Sequence, residues 1–174
     1  DSIILVVDAQ ERITPAIHQR DIVTSRMRWL GEIGLQLDVP VLITEQYPKG
    51  LGYTVSALAE IIEVARVVEK THFSAWREST FQDVVKEYDK KQIVIMGMET
   101  HVCVMQTALD LVAQGYQVFL PTDTVGSRRP NDKDTAVARM REAGVQIVTS
   151  EMVAFEWMQH SEHPCFRDVQ GLIR

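Results

Sequence analysis

The sequence predicts a three-layer αβα sandwich, an α/β fold built on a six-stranded, mostly parallel sheet. Three observations point to it. Short β-branched apolar runs alternate with amphipathic stretches from one end of the chain to the other. The apolar runs are continuous rather than alternating, as expected of strands covered on both faces. At 174 residues, 45% of them hydrophobic, the chain suits one domain spanning 1–174 and shows no Ser/Gly-rich linker or repeat.

Taken in order, the first strand is Ile3–Val7. Val23, Met27, Leu30 and Leu37 then recur at helical spacing and lead to a second strand, Val41–Thr44. Ala65–Glu69 and Ile93–Met96 are the third and fourth. A helix starting near His101, with Val102, Met105, Leu109 and Val112 along one face, stops at Gly115 ahead of the fifth strand, Gln117–Leu120. Val137, Met140 and Arg141 open another helical face, which Gly144 ends before the last strand, Gln146–Val148. Strand–helix–strand units of this kind cross over right-handed, placing helices on both sheet faces.

Composition removes several classes of function. A net charge of −6, from 18 basic and 24 acidic residues, suits a soluble protein and argues against a nucleic-acid partner. Arg128, Arg129 and Lys133 form a short basic patch broken by Asp132 and Asp134, read as a solvated loop. No apolar run approaches the ~20 residues that span a bilayer, so no membrane partner is expected. Two cysteines make no disulfide framework, and the chain opens directly on a strand, which makes a cytoplasmic location the expectation. His18, His72 and His101 are isolated, and His160 and His163 lack a third ligand. Neither a metal nor another cofactor is expected.

In open parallel sheets, ligands bind beyond the carboxyl ends of the strands, where strand order reverses. The residues at those ends are Asp8, Glu45, Lys70, the Gly97–Cys103 turn and Asp123. Cys103 follows a strand and a tight turn, with Thr100 as expected N-cap. A helix start favours thiolate over thiol, and a nearby lysine adds to that. The free N–H groups there can hold an oxyanion. A buried structural cysteine is the competing reading. Asp8 either caps the next turn or serves as a base. Gln10 stands where a haloacid-dehalogenase-type phosphatase has a second Asp, and Ala9 where a receiver domain pairs acids. Lys70 leads into Thr71–Trp76, an aromatic-rich loop that reads as a pocket wall. Together, carboxylate, ammonium and thiol make an acid–base–nucleophile set.

Val6–Gln10, Lys70 with His72–Ser74, and Gly97–Val104 resemble the first-strand, lysine and nucleophile motifs of the isochorismatase-like cysteine hydrolases. Thr44–Gly52, Ser127–Arg128 and the closing His163–Ile173 resemble one branch of that family, the isochorismatase domain-containing proteins. The resemblance implies Cys103 as nucleophile, Asp8 as general base and Lys70 as electrostatic partner. It further implies a cis peptide at Met98–Glu99 and an oxyanion hole from the N–H groups of Glu99 and Cys103. The implied activity is hydrolysis of a small amide or related carbonyl compound through a thioester. Vinyl-ether hydrolysis of an isochorismate-like compound, or a non-catalytic interaction protein, are the alternatives. Metal-binding nicotinamidases have an Asp-x-His-x-His pattern where this chain reads Thr44–Gly50 without histidine, so zinc and nicotinamide are not implied. Gln10, Glu45, Phe73 and Trp76 are the expected lining of a small polar substrate pocket. The resemblance also implies a homo-oligomer, with Phe155, Trp157 and Met158 as either apolar contact or core.

Overall fold

The computed structural model describes residues 1–172; Ile173, which closes the segment resembling the family branch, and Arg174 lie outside the described residues. The strands are β1 (Ser2–Val7), β2 (Val41–Gln46), β3 (Arg66–Lys70), β4 (Gln92–Met98), β5 (Gln117–Pro121), β6 (Val125–Gly126) and β7 (Gln146–Val148). The helices are α1 (Arg20–Gln36), α2 (Pro48–Leu51), α3 (Ala59–Ile62), α4 (Ser79–Glu87), α5 (Met105–Ala113), α6 (Pro130–Glu142), α7 (Ser150–Met158) and α8 (Phe166–Leu172).

The sheet runs β3-β2-β1-β4-β5-β7, with β6 pairing β4, and every pairing between these strands is parallel. The six expected strands are present. The seventh, β6, has two residues and pairs only with the end of β4, through Gly97↔Val125 and Met98↔Gly126. A pairing that short has no periodicity to read. The chain winds from β1 out to β3, then crosses to β4 and winds the opposite way. Right-handed crossovers therefore put α1 and α3 on one face and α4, α5 and α6 on the other. The reversal falls between β1 and β4, whose register ends at Val7↔Gly97. Asp8 comes directly after one partner, and the Met98–Cys103 turn after the other.

The central strands are covered on both faces: Ile3–Val7 and Ile93–Met98 are all buried. The edge strand β3 departs from that expectation, since Val67 is exposed and only Val68 and Lys70 are buried. On α5 the residues turned fully inward are Thr107, Ala108 and Leu111 rather than the Val102–Met105–Leu109–Val112 stripe. The cause is a π-helical turn at Thr100–Val104, which adds a residue before α5 and rotates its inner face. On α6 the buried positions are Ala136 and Met140, and Arg141 faces solvent. Met158 is buried with Ile33, Ala154 and Val169, and half-buried Trp157 donates to Ser2 Oγ at 3.1 Å, so both belong to the interior. Phe155 is exposed. No helix among the described residues is long and apolar enough to cross a membrane.

Candidate active site

Asp8 leaves β1 in a left-handed conformation (φ 48°), which short polar side chains tolerate better than most. This conformation turns its carboxylate into the crevice at the sheet's reversal point. Gly97 makes room for it. A Cβ on Gly97, whose φ is +126°, would fall 2.0 Å from the Val7 carbonyl oxygen. Only glycine lets β4 lie this close to the residue preceding Asp8. Thr44 Oγ1 donates to Asp8 Oδ1 at 2.8 Å, and Lys70 Nζ lies 2.7 Å from Oδ2, with both ion-pair side chains fully buried.

Lys70 is the last residue of β3. Its ammonium also donates to Gln46 Oε1 (2.6 Å) and to the carbonyls of Phe73 (3.1 Å) and His72 (3.2 Å). The loop bearing those carbonyls is fastened by Glu78. Glu78 Oε1 accepts from Thr71 N (2.8 Å) and His72 N (3.0 Å) and contacts His72 Nδ1 (2.9 Å). These backbone donors hold the Glu78 carboxyl down at about 2.

Cys103 lies in the π-helical turn, within hydrogen-bonding reach of both Asp8 and Lys70. The peptide bond between Met98 and Glu99 is cis. The turn is tied by Val102 N and Val104 N, which both donate to Glu99 O at 3.1 and 3.3 Å. Thr100 is not the N-cap: Glu99 holds that position, and the Thr100 hydroxyl is buried without a partner. The expected thiolate is also corrected. Burial pushes the Cys103 thiol up, the adjacent Asp8 carboxylate pushes it further, and Lys70 recovers only part, leaving it at about 12. Burial likewise raises Asp8, against the lowering influence of Lys70, Cys103 and Thr44. At neutral pH the resting group is a neutral thiol beside the Asp8–Lys70 ion pair.

The other sequence-derived candidates have different surroundings. Gln10 is fully buried and bridges two segments: its Oε1 accepts from Gln46 N (2.7 Å), and its Nε2 donates to Gly52 O (2.7 Å) and Gln46 O (3.0 Å). Glu45 Oε1 accepts from Thr54 N and Thr54 Oγ1, both at 2.7 Å. Both residues thus brace the Gln46–Thr54 segment against the strand ends. Trp76 packs edge-on against Phe81 and Tyr116. Phe73 contributes its carbonyl to Lys70 while its side chain is exposed. Asp123 is engaged elsewhere, accepting from Ser150 N (2.9 Å), Ser150 Oγ (2.5 Å) and Arg26 Nε (3.1 Å). Although burial pushes its carboxyl up, those donors outweigh the effect and hold it low.

Sequence reasoning missed Gln46 and Glu78, because a surface glutamine or glutamate has the same letter as one wired to a buried lysine. It also read Arg128 as merely solvated. The Arg128 backbone N–H (3.0 Å) and Nε (3.1 Å) both donate to Glu99 Oε2, so the basic patch is tied to the nucleophile turn. His101 Nδ1 is 3.0 Å from Ser127 Oγ on the same flank. No three His, Cys, Asp or Glu residues converge as a metal site among the described residues.

A parallel α/β sheet with a buried thiol, carboxylate and ammonium at its reversal point defines the class of α/β proteins with a cysteine-centred site. Within that class, the isochorismatase domain family matches residues 2–152, and the chain belongs to this family of hydrolase fold. Isochorismatase domain-containing protein 1 of Salmo salar is 37% identical over 96% of this chain, and this chain spans 59% of that protein's length. Among solved structures, the MAR1 ribonuclease of Caenorhabditis elegans is 35% identical with a TM-score of 0.92, covering 99% of this chain and 89% of its own. YcaC from Pseudomonas aeruginosa, solved with hexane-2,5-diol and covalent acrylamide, is 29% identical (TM-score 0.90; 99% and 88% covered). The YcaC product of Escherichia coli, an octameric hydrolase of unknown specificity, is 26% identical (TM-score 0.89; 99% and 92% covered).

Proposed function

We propose that the chain is a cysteine hydrolase of small amides or related carbonyl compounds, with Cys103 as nucleophile, Asp8 as general base and Lys70 as electrostatic partner. The observation that carries this reading is the dry cluster itself. A thiol pushed to about 12 lies against a carboxylate whose proton affinity burial has raised. Such a pair exchanges a proton as attack proceeds rather than storing a thiolate beforehand. Sγ bonds to the substrate carbonyl carbon while Asp8 takes the thiol proton. The C=O π pair moves onto oxygen, facing the N–H groups of Glu99 and Cys103 at the turn. Collapse expels the amine, which leaves with the proton from Asp8. Water then attacks the thioester, gives its proton to Asp8, and the carboxylic acid and free thiol are restored. The positive charge of Lys70 offsets the charge passing between Asp8 and sulfur. Covalent acrylamide in the Pseudomonas YcaC is consistent with small-amide chemistry in this family. The ribonuclease name of the nematode relative is not carried over, since a net charge of −6 opposes binding to a phosphate backbone. Assembly into a homo-oligomer, as in the octameric YcaC, belongs to the same proposal.

Ammonia release from a panel of small amides tests the reading. Wild type is expected to turn over at least one amide, and Cys103→Ala none. Release by Cys103→Ala at the wild-type rate would remove the nucleophile. The raised Asp8 also favours a second reading, in which Asp8 protonates a vinyl ether. There Asp8→Asn would be inactive while Cys103→Ala keeps its activity.

A further inference from the structure

Four oxygen acceptors surround the Lys70 ammonium, which has only three N–H bonds to give. They are Gln46 Oε1 at 2.6 Å, Asp8 Oδ2 at 2.7 Å, Phe73 O at 3.1 Å and His72 O at 3.2 Å. Three N–H bonds are therefore shared among four acceptors, Asp8 among them. Asp8 Oδ2 pairs with Nζ in competition with Gln46 and the two carbonyls, and Lys70 lowers its proton affinity. Two of the three competing acceptors are carbonyls of one short loop. Glu78 grips that loop through Thr71 N, Thr71 Oγ1, His72 N and His72 Nδ1. The third, Gln46, is tied to the same loop by its Nε2, which donates to Thr71 O at 2.8 Å.

We propose that Glu78 is a positioning residue for the site: by holding the Thr71–Phe73 loop, it keeps two carbonyls competing with Asp8 for the N–H bonds of Lys70, so that Asp8 retains the proton affinity to take the thiol proton. The inference rests on the reading of Asp8 as base and Cys103 as nucleophile. The charged and titratable groups around Lys70 are Asp8 and Cys103 inside the crevice and Glu78 with His72 behind the loop. Lys49, Tyr47 and Glu69 join Thr71 and Glu78 around a cleft of about 230 Å³ on its outer side. Among these, only Asp8 ion-pairs with Lys70. Without the grip of Glu78, the two carbonyls drift and Lys70 gives Asp8 Oδ2 a larger share of its N–H bonds. An aligned, charge-assisted bond makes Asp8 a weaker base.

The test is the pH dependence of Cys103 alkylation by iodoacetamide in a Cys165→Ser background, which needs no knowledge of the natural substrate. The rate should rise as Asp8 loses its proton. In Glu78→Ala this acidic limb is expected to move about one pH unit lower and the plateau to fall about tenfold, the scale of one hydrogen bond to a charged group. Glu78→Gln keeps an acceptor for the loop N–H groups and is expected to restore the wild-type limb. A Glu78 that merely stabilised the fold would reduce the folded fraction without moving the limb. An unmoved limb in Glu78→Ala, with the protein folded by circular dichroism, overturns the inference. Should Glu78→Ala not fold, Gln46→Leu, which removes another of the competing acceptors, must move the limb the same way or the inference fails. Separately, Asp8→Asn must abolish the limb; if the limb survives there, the base assignment fails rather than the role of Glu78.

Discussion

Gly97→Ala tests the link between backbone packing and the site. The added Cβ would fall 2.0 Å from Val7 O and 2.7 Å from Val7 N, where ordinary contact begins at 3.4 Å, so the strands must part by about 1.4 Å. Nothing flexible can yield, because the obstructing atoms are backbone of β1. The φ of +126° adds a conformational cost that an L-residue incurs and glycine does not. Backbone strain at such a φ costs about 1–3 kcal/mol, and overpacking a tight interior costs about 1–3 kcal/mol more. A loss of about 2–6 kcal/mol is therefore expected, against a total stability of roughly 5–15 kcal/mol. Asp8 is the next residue along, so part of the displacement reaches its carboxylate. A shift of about 1 Å at a reacting group costs about 100-fold in rate. Urea unfolding gives the stability, and iodoacetamide alkylation of Cys103 gives the rate at pH 7. A folded Gly97→Ala protein within 0.5 kcal/mol of wild type (about the noise of surface substitutions), alkylated at the wild-type rate, would refute the argument.

Further expectations follow from single contacts. Thr44→Val removes the hydroxyl that donates to Asp8 Oδ1 at 2.8 Å, so Asp8 should bind its proton more tightly and the acidic limb of Cys103 alkylation should move up by about one pH unit. A limb that stays put or moves down contradicts that role. Glu78 is held at about 2 against an ordinary 4.5, so its contribution to stability is complete above pH 4.5 and is lost as pH falls toward 2. In urea titrations over that window, wild type should lose stability more steeply than Glu78→Gln, and equal slopes would count against the clamp. Phe81→Ala empties a fully buried position packed edge-on against Trp76, and should cost about 3–5 kcal/mol in urea unfolding. A cost below about 1 kcal/mol would mean that this side of the sheet repacks freely.

The strands were legible because a doubly covered parallel strand writes itself as an unbroken apolar run, and Ile3–Val7 and Ile93–Met96 do so. The ends of β2 and β3 were harder. Glu45 and Lys70 looked like residues beyond the strand, yet both lie within it, because each charge has a buried partner, the Thr54 N–H and hydroxyl for Glu45 and Asp8 for Lys70. Asp8, Lys70 and Cys103 could be ranked from topology alone, since the reversal of strand order selects the carboxyl ends where they stand. The α5 face was misread because one extra residue in the π-helical turn shifts every later position, and no residue type announces such a turn. For Trp76, aromatic composition says nothing of direction; Phe81 and Tyr116 are what its ring packs against.

What the sequence most misjudged is the resting state of the thiol, and the reason bears on how the site works. A helix start and a lysine each favour thiolate, but both act on a sulfur that burial has removed from water. Desolvation opposes any added charge, and the cavity already holds the Asp8 carboxylate, so the thiol stays protonated. The same burial raises the proton affinity of Asp8, the acceptor. Proton transfer from sulfur to Asp8 then replaces one anion with another in the same crevice and needs no new charge to be created there. The transfer becomes favourable when the sulfur's developing charge passes on to a substrate oxygen facing the turn N–H groups. On the proposed reading, Cys103 is made nucleophilic by the electrophile it attacks, and the opposite shifts expected for Thr44→Val and Glu78→Ala measure how finely Asp8 is set for that exchange.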